Sequence, residues 1–401
     1  MTGSGDGTRA SRIASLDWVR GWMLIASVAA NSLLVIPRWF DHTVWDGVHL
    51  LDLIFPVFVT LSGCGLAFAM HRRVAVWPLV RRVVVLLVVG QLYGAITSNS
   101  WEPSTWTLTG VLQLYAFVVA LLGVLHLITR SWLGWAVITV VLAAGYTVVL
   151  AAWAVGCGDL GLTRTCNPSG AVDPAVFGAA HIYHQGIYGH DPVGLMAGWG
   201  ALVSASAGAT MGHVMLAVRE RGGGPVRAAL PLLACVVGAL LLAQACIQVS
   251  AWIDGAADVL VMKRLWTPPF ALRVAAPVAV ALLIGHLLLD GRRESPAGLR
   301  VGRVVDAAAS PLIALGRNSL LVYFGSHIVM SVLSRPLEVT VPGVGVGEEG
   351  ADVVVPTTLA RELAEALAVG GQVQLTWTCA LLLFWTLLAG ILHRARLYLR
   401  P

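Results

Sequence analysis

The chain has 401 residues, of which 57% are hydrophobic and only 12% are charged. Its mean hydropathy of +0.80 leaves far too little polar surface for a soluble globular protein. The formal net charge of +5 is not concentrated in a basic cluster interleaved with aromatic residues, so nucleic acid is not an expected partner. The composition therefore predicts an all-α, polytopic membrane protein.

Ten apolar windows are long enough to cross a bilayer as helices of roughly 17 to 25 residues. They cover 17–36, 49–70, 83–98, 107–128, 133–154, 194–217, 227–250, 269–289, 311–333 and 372–392. We expect one membrane domain at 17–392, with short tails at 1–16 and 393–401. The first window lacks a small-residue cleavage site, and we interpret it as a retained signal anchor.

The distribution of basic residues predicts the orientation. With a cytoplasmic N-terminus, 18 basic residues fall in cytoplasmic segments and six in outer segments, in agreement with the positive-inside rule. Both termini are then cytoplasmic, and the longer loops at about 156–192 and 334–371 face outside. We expect a multi-pass protein of the inner (plasma) membrane that is surrounded by lipid.

Two features distinguish the longer outer loops. Cys157 and Cys166 lie in one of them, in a compartment where disulfides persist, and we predict a bridge between them. The other four cysteines fall inside predicted spans, where thiols behave as small apolar groups, so no metal site is expected. In the second loop, residues 359–367 have the spacing of an amphipathic helix lying on the outer face.

Polar residues at the outer end of the first two spans are the leading candidates for a functional site, because ionisable groups at membrane depth are costly. Asn31 ends the first span, His42 lies in the following turn and Asp52 opens the second span. If these two helices form a hairpin, the three residues can converge on one pocket. A histidine at this boundary can exchange protons near neutral pH.

Other polar residues have a simpler structural interpretation. Asp17 and Arg20 share one helix face and can neutralise each other, which is at least as good an explanation as a ligand contact. Hydrogen bonds between helices would satisfy the remaining polar side chains within the spans. Those side chains are Gln91, Gln113, Asn318, Tyr323 and His327. Only their number favours a polar cavity.

Seven sequence elements follow one another in a recognisable order. They are Ser15–Gly21 (SLDWVRG) with Asn31, His42–Gly47 (HTVWDG), Asp52–Val59 (DLIFPVFV), Gly110–Gln113 (GVLQ), Asp191–Gly194 (DPVG), Lys263–Trp266 (KRLW) and Gly316–Tyr323 (GRNSLLVY). Together they resemble the heparan-α-glucosaminide N-acetyltransferase family, part of the transmembrane acyltransferase superfamily. The matched elements extend over most of the chain.

The resemblance implies transfer of an acyl group, usually acetyl, from cytoplasmic acyl-CoA to an amine or hydroxyl of an extracytoplasmic sugar or glycoconjugate. It assigns the functional histidine to His42 and the asparagine of the preceding helix to Asn31. A neutral imidazole can deprotonate the acceptor or can itself take the acyl group, and Asn31 could hold its tautomer or polarise the thioester carbonyl. Asp52 either orients His42 or caps the second helix.

The resemblance also suggests binding residues for the two substrates. For the acyl-CoA cofactor we expect Arg20, Arg72, Arg73, Gln113, Asn318 and Tyr323. Arg81 and Arg82 flank the same loop as Arg72 and Arg73 and could also meet the coenzyme A phosphates, although the positive-inside rule alone would place arginines there. For the acceptor we expect Lys263, Trp45, His184 and His327. Lys263 is the only lysine in the chain and falls in a matched element.

The chain departs from the family pattern at Val57, where tryptophan is common, and at Met262 and Arg264, where asparagines are common. We also expect no large extracytoplasmic domain before the first span, and the Arg, Ala, Val and Gly usage suggests a bacterial member. We therefore expect a cell-envelope polysaccharide, glycolipid or secreted glycoside as acceptor, and we leave a homodimer open. The alternatives are a transporter of a lipid-linked sugar or small molecule and a non-catalytic scaffold, neither of which requires the residues around His42.

Overall fold

The structure is a computed structural model and describes residues 13–158, 161–253, 259–291, 296–341 and 353–399. The predicted tails therefore lie partly outside the described residues. The α-helices are α1 (Ala14–Asn31), α2 (Ile54–Met70), α3 (Val76–Ser98), α4 (Val111–Ile128), α5 (Trp132–Gly156), α6 (Pro168–Phe177), α7 (Leu195–Glu220), α8 (Pro225–Ala251), α9 (Pro268–Leu289), α10 (Pro296–Arg317), α11 (Ser319–Leu333), α12 (Leu359–Ala366) and α13 (Val373–Arg394). Two strands, β1 (Pro336–Val341) and β2 (Val353–Thr358), complete the described fold.

The all-α membrane architecture is confirmed, with a smaller number of spans than the ten expected. Among the described residues, eight helices are long and apolar enough to cross a membrane, or nine if the bent pair α10 and α11 forms one span. The first predicted window forms α1, which ends at Asn31 and carries Asp17 and Arg20, and it is not among these eight. Helix α3 begins at Val76, seven residues before the predicted window.

The ninth predicted window, 311–333, is not one continuous helix. Asn318 separates α10 from α11, and the two helices are bent by 70° relative to each other. The Asn318 side-chain amide donates to the carbonyl of Ala314 at 3.1 Å. An asparagine that bonds to its own backbone in this way competes with regular helix hydrogen bonding, which explains the break.

Glycines bring the central helices into backbone contact. A Cβ atom on Gly63 of α2 would lie 1.8 Å from the carbonyl oxygen of Ala205 on α7, and one on Gly208 of α7 would lie 1.9 Å from the carbonyl oxygen of Thr60. Most of α7 is buried, so the α2–α7 pair forms the centre of the bundle. Small residues are the usual means of close helix packing in membranes.

Three connecting segments pack together over one end of the bundle, and we call residues 32–53, 161–194 and 259–267 the loop layer. Gly47 pairs with Met262 in a parallel β-bridge, and the Trp45 indole nitrogen donates to the carbonyl of Leu162 at 3.2 Å. The predicted disulfide is confirmed, because Cys157 and Cys166 are bonded with Cα atoms 5.9 Å apart. The loop layer therefore joins segments that are distant in sequence.

The last long loop contains structure that the sequence analysis did not predict. Strands β1 and β2 pair antiparallel, with Pro336 opposite Thr358 and Val341 opposite Val353. The predicted amphipathic helix is confirmed as α12, which buries Ala360 and Ala364. The part of the predicted loop at 342–352 lies outside the described residues.

Candidate active site

His42 and Asp52 form the centre of the candidate site. Nδ1 of His42 lies 2.6 Å from Oδ1 of Asp52, and the Asp52 side chain is fully buried whereas that of His42 is 43% exposed. Because a carboxylate only accepts, Nδ1 of His42 carries the shared proton. A neutral His42 therefore keeps the Nε2 lone pair available as a base or a nucleophile.

Asp52 also closes the turn that precedes α2. Its second oxygen, Oδ2, accepts hydrogen bonds from the backbone nitrogen of His49 at 3.0 Å and from that of Thr43 at 3.3 Å. These bonds fix the start of the short 3-10 helix Leu50–Leu53. One oxygen of Asp52 therefore contacts His42, and the other closes the turn before α2.

Lys263 approaches the same carboxylate from the segment between α8 and α9. Its Nζ lies 3.9 Å from Oδ1 of Asp52, and only 14% of its side chain is exposed. Burial lowers the pKa of Lys263 to about 8; the Asp52 charge opposes this lowering and the Arg264 charge adds to it. The site thus places one ammonium group and one imidazole on a single carboxylate oxygen.

Asn31 has a different partner from the one expected. Its amide nitrogen lies 2.8 Å from Nδ1 of His327 and 3.4 Å from the Ser326 hydroxyl. Nδ1 of His327 also lies 2.8 Å from the carbonyl of Tyr323. One ring nitrogen cannot donate to that carbonyl and accept from an amide N–H at once, so the His327 tautomer decides between them. Among the described hydrogen bonds, Asn31–His327 and His42–Asp52 are separate pairs.

A cavity of about 650 Å³ lies between α1, α2, α3, α4, α10 and α11. Phe55 and Phe58 of α2 line it, and they follow Asp52 closely in the chain. Tyr323, whose ring lies 4.6 Å from the ring of His327, also lines this cavity. The volume is within the range of small-molecule sites in proteins. The cavity can therefore admit a ligand toward the start of α2, which follows Asp52 in the chain.

Three arginines line the cavity. Arg20 lies 3.6 Å from Asp17 and donates to the Leu61 carbonyl, while Arg317 stacks over the Tyr398 ring at 4.0 Å. Arg82 donates to the Tyr115 hydroxyl at 2.8 Å, and its buried Nε atom has no hydrogen-bond partner among the described residues. Guanidinium groups of this kind bind phosphate well.

The structure separates the expected cofactor residues into two groups. Arg20 and Tyr323 line the cavity, whereas Arg72, Arg73, Gln113 and Asn318 are not among its lining residues. The Arg72 carbonyl accepts a hydrogen bond from Arg130, and Arg73 is exposed. Gln113 fills the space beside Gly90 and Gly110. Asn318 is fully buried at the bend between α10 and α11.

The sequence analysis named Arg82 among the arginines that could meet the coenzyme A phosphates, but it did not assign Arg317 or Tyr115 to the cofactor. Arg82, which was expected to flank the third span, lies inside α3. Arg317 lies in the matched element at 316–323, and that membership was the available signal. Nothing in the local sequence marked Tyr115, because its partner Ser62 lies on another helix.

Of the expected acceptor residues, Trp45, His184 and Lys263 lie in the loop layer with His42, whereas His327 lies on α11. The Trp45 ring meets the ring of His190 edge to face at 5.1 Å. Burial lowers the pKa of His190 to about 4, and its Nε2 is buried without a partner in the part of the chain described. His184 is exposed on the turn Tyr183–Gly186, where its ring contacts Tyr183 and Tyr188.

Comparison with known proteins shows what the chain is similar to. Residues 12–164, which include both His42 and Asp52, match the family model described as heparan-alpha-glucosaminide N-acetyltransferase, catalytic. The human heparan-alpha-glucosaminide N-acetyltransferase is 25% identical over 368 residues, covering 79% of this chain and 53% of that protein. The mouse protein is 24% identical over 374 residues, covering 80% and 54%. The chain spans about half the length of these curated relatives, and its similarity to them extends over about four fifths of this chain, 79% and 80%.

Proposed function

We propose that the protein is a transmembrane acyltransferase that moves an acetyl or related acyl group from acyl-CoA to an amine or hydroxyl of a sugar or glycoconjugate. The His42–Asp52 pair beside an arginine-lined cavity carries this proposal. The human and mouse relatives are heparan-alpha-glucosaminide N-acetyltransferases, and this similarity supports acetyl transfer. The departures at Met262 and Arg264 favour a different glycan for this chain.

The cavity suits the donor. Coenzyme A combines anionic phosphates with a long, weakly polar arm that ends in the thioester. Arg20, Arg82 and Arg317 could bind the phosphates, and the aromatic wall at Phe55 and Phe58 could guide the arm toward His42. In this arrangement Tyr323 and the neighbouring Asn31–His327 pair lie beside the path of the thioester.

The chemistry follows from the free Nε2 of His42. In direct transfer, Nε2 takes the proton as the acceptor nitrogen or oxygen attacks the thioester carbon, and the C–S bond breaks to release coenzyme A thiolate, which is then protonated. In the two-step route, Nε2 attacks first and the acceptor then displaces it from the acyl-imidazole. Asp52 stabilises the imidazolium in either case. An amide N–H from Asn31 is suited to a developing oxyanion.

We also propose that the loop layer faces the extracytoplasmic side and that both termini are cytoplasmic, as the distribution of basic residues favours. Single cysteines at Gln185 and Gly222, both exposed positions, test this in a background without Cys379. An impermeant maleimide added to intact cells should label the first position only. Labelling at Gly222 alone would show that the orientation is the opposite of the one proposed.

The activity test uses purified protein in lipid nanodiscs with acetyl-CoA and glucosamine-containing acceptors, and it follows free coenzyme A and acylated product. His42→Ala should lose about 10²- to 10⁴-fold in turnover while it remains folded, as expected for loss of a general base. His181→Ala is the matched control, because it also removes a histidine from the loop layer, one whose ring contacts the Trp106 carbonyl. This variant should retain turnover. Equal activity of His42→Ala and the native protein would overturn the assignment, and no turnover with any acceptor would favour transport.

A further inference from the structure

Oδ1 of Asp52 is shared by two groups from opposite parts of the chain. His42 Nδ1 binds it at 2.6 Å, and Lys263 Nζ lies 3.9 Å from the same atom. The other oxygen of Asp52 is occupied by two backbone N–H groups. Both carboxylate oxygens therefore have partners, and the positive charge of Lys263 interacts with the same oxygen that contacts His42.

The position of Lys263 is fixed by its own segment rather than by its side chain alone. The backbone nitrogen of Trp266 donates to the Lys263 carbonyl at 2.9 Å, and Thr267 bonds to the backbone of Leu260 and Met262. Arg264 donates to the Thr43 carbonyl at 2.7 Å, directly beside His42. The ammonium group is thus held against Asp52 even without substrate.

Few charges compete with this arrangement. Asp52 is the acid that lies within ion-pair distance of Lys263 among the described residues, and Arg264 is the neighbouring cation. On the His42 side, Asp41 accepts from the His42 backbone nitrogen at 2.7 Å, and the Asp41 carbonyl contacts the His49 ring. A lone carboxylate would favour the protonated imidazole, and a nearby ammonium opposes that effect.

We propose that Lys263 is a positioning residue whose ammonium group, by sharing Oδ1 of Asp52, keeps His42 neutral at the pH at which it must act as a base or nucleophile. The catalytic consequence rests on the proposed acyltransferase function, whereas the coupling between Lys263 and Asp52 does not. This role differs from acceptor binding, since it predicts a change in the pH dependence of turnover rather than a change in KM alone.

The coupling can be measured without activity because Lys263 is the only lysine. Protein labelled with ¹³Cε-lysine in nanodiscs gives one lysine resonance, whose titration should have its midpoint near the pKa of about 8. In Asp52→Asn the ammonium keeps its burial and loses its counter-ion, so the midpoint should fall by about one pH unit or more. An unchanged midpoint would overturn the proposal, whatever reaction the protein catalyses.

The second experiment compares pH profiles of kcat/KM. Lys263→Met should move the acid limb to higher pH by about half a pH unit to one pH unit, since His42 then faces an uncompensated carboxylate. Lys263→Arg keeps the positive charge and should therefore keep the acid limb at its native pH. Arg361→Gln, which removes an exposed cation on α12, should also leave the limb unchanged. Thermal unfolding of each variant verifies folding, and Lys263→Arg remains informative if Lys263→Met does not fold.

Two results would contradict the positioning role. If Lys263→Met raises KM for the acceptor and leaves the pH profile in place, Lys263 binds substrate instead. If the Lys263→Arg protein is folded but its acid limb is shifted as in Lys263→Met, the positive charge at position 263 does not set the position of the limb. Absence of turnover in the native protein would count against the proposed function only, because the lysine titration still decides the coupling.

Discussion

Arg82 on α3 donates a hydrogen bond of 2.8 Å to the hydroxyl of Tyr115 on α4, which in turn donates to the Ser62 hydroxyl on α2 at 2.8 Å. This chain of bonds holds one guanidinium at the wall of the cavity with its Nε unused. Arg82 is consequently positioned to bind an anionic ligand there.

Arg82→Gln should raise the KM for acyl-CoA by about 10- to 100-fold, because a charge-assisted hydrogen bond contributes about 1.5 to 3 kcal/mol. The measurement is initial rate against acyl-CoA concentration, or direct binding of coenzyme A. Arg73→Gln is the comparison, since Arg73 is exposed and does not line the cavity. A larger effect at Arg73 would favour a donor site at the loop after α2 instead.

The buried, neutral state of His190 should make the protein less stable in acid. Its pKa is lowered to about 4, so the folded protein binds fewer protons than the unfolded chain between that value and the usual 6.5. Stability contributed by this residue is full above pH 6.5 and is lost as the pH falls toward 4, by about 2 to 3 kcal/mol.

Thermal unfolding at several pH values, carried out on the native protein and on His190→Phe, measures this loss as the difference between the two proteins in how stability depends on pH. Phenylalanine keeps the contact with Trp45 and cannot be protonated. The variant should therefore lose less stability than the native protein between pH 6.5 and pH 4. Parallel curves for the two proteins would show that His190 does not contribute.

The Cys157–Cys166 disulfide should stabilise the loop layer without taking part in the reaction. Cys157→Ser with Cys166→Ser should lower the free energy of unfolding by roughly 2 to 3 kcal/mol, as for other short closed loops. Acyl transfer should persist below the melting temperature. Intact mass with and without reductant verifies the bridge, and loss of turnover in a folded, fully reduced protein would indicate a functional thiol.

Backbone contact between α2 and α7 should tolerate no side chain at Gly63. Gly63→Val places carbon atoms against the Ala205 carbonyl, and we expect little folded protein after extraction in mild detergent. Gly94→Ala, where the added Cβ meets no atom within 4 Å, should be neutral or slightly stabilising because alanine favours helix. Size-exclusion profiles of the two variants are the measurement, and a normal Gly63→Val profile would contradict this packing.

The sequence predicted what depends on local pattern. Apolar windows located the helices, and the ten-residue separation of His42 and Asp52 made their contact predictable. Windows of hydropathy carry no information about the break at Asn318 or about the strands β1 and β2, which lie between apolar segments. The pairing of Asn31 with His327 joins residues 296 positions apart, and no single-sequence pattern encodes that contact.

The distribution of the site along the chain sets the order in which it can assemble during synthesis. The His42–Asp52 pair needs only the first two helices, whereas Lys263, Arg317 and Tyr323 are made much later. A growing chain therefore possesses its reactive imidazole before the cavity wall on α10 and α11 exists. The cavity is complete only after α10 and α11 have been synthesised, and a product truncated before them would contain His42 without the finished cavity.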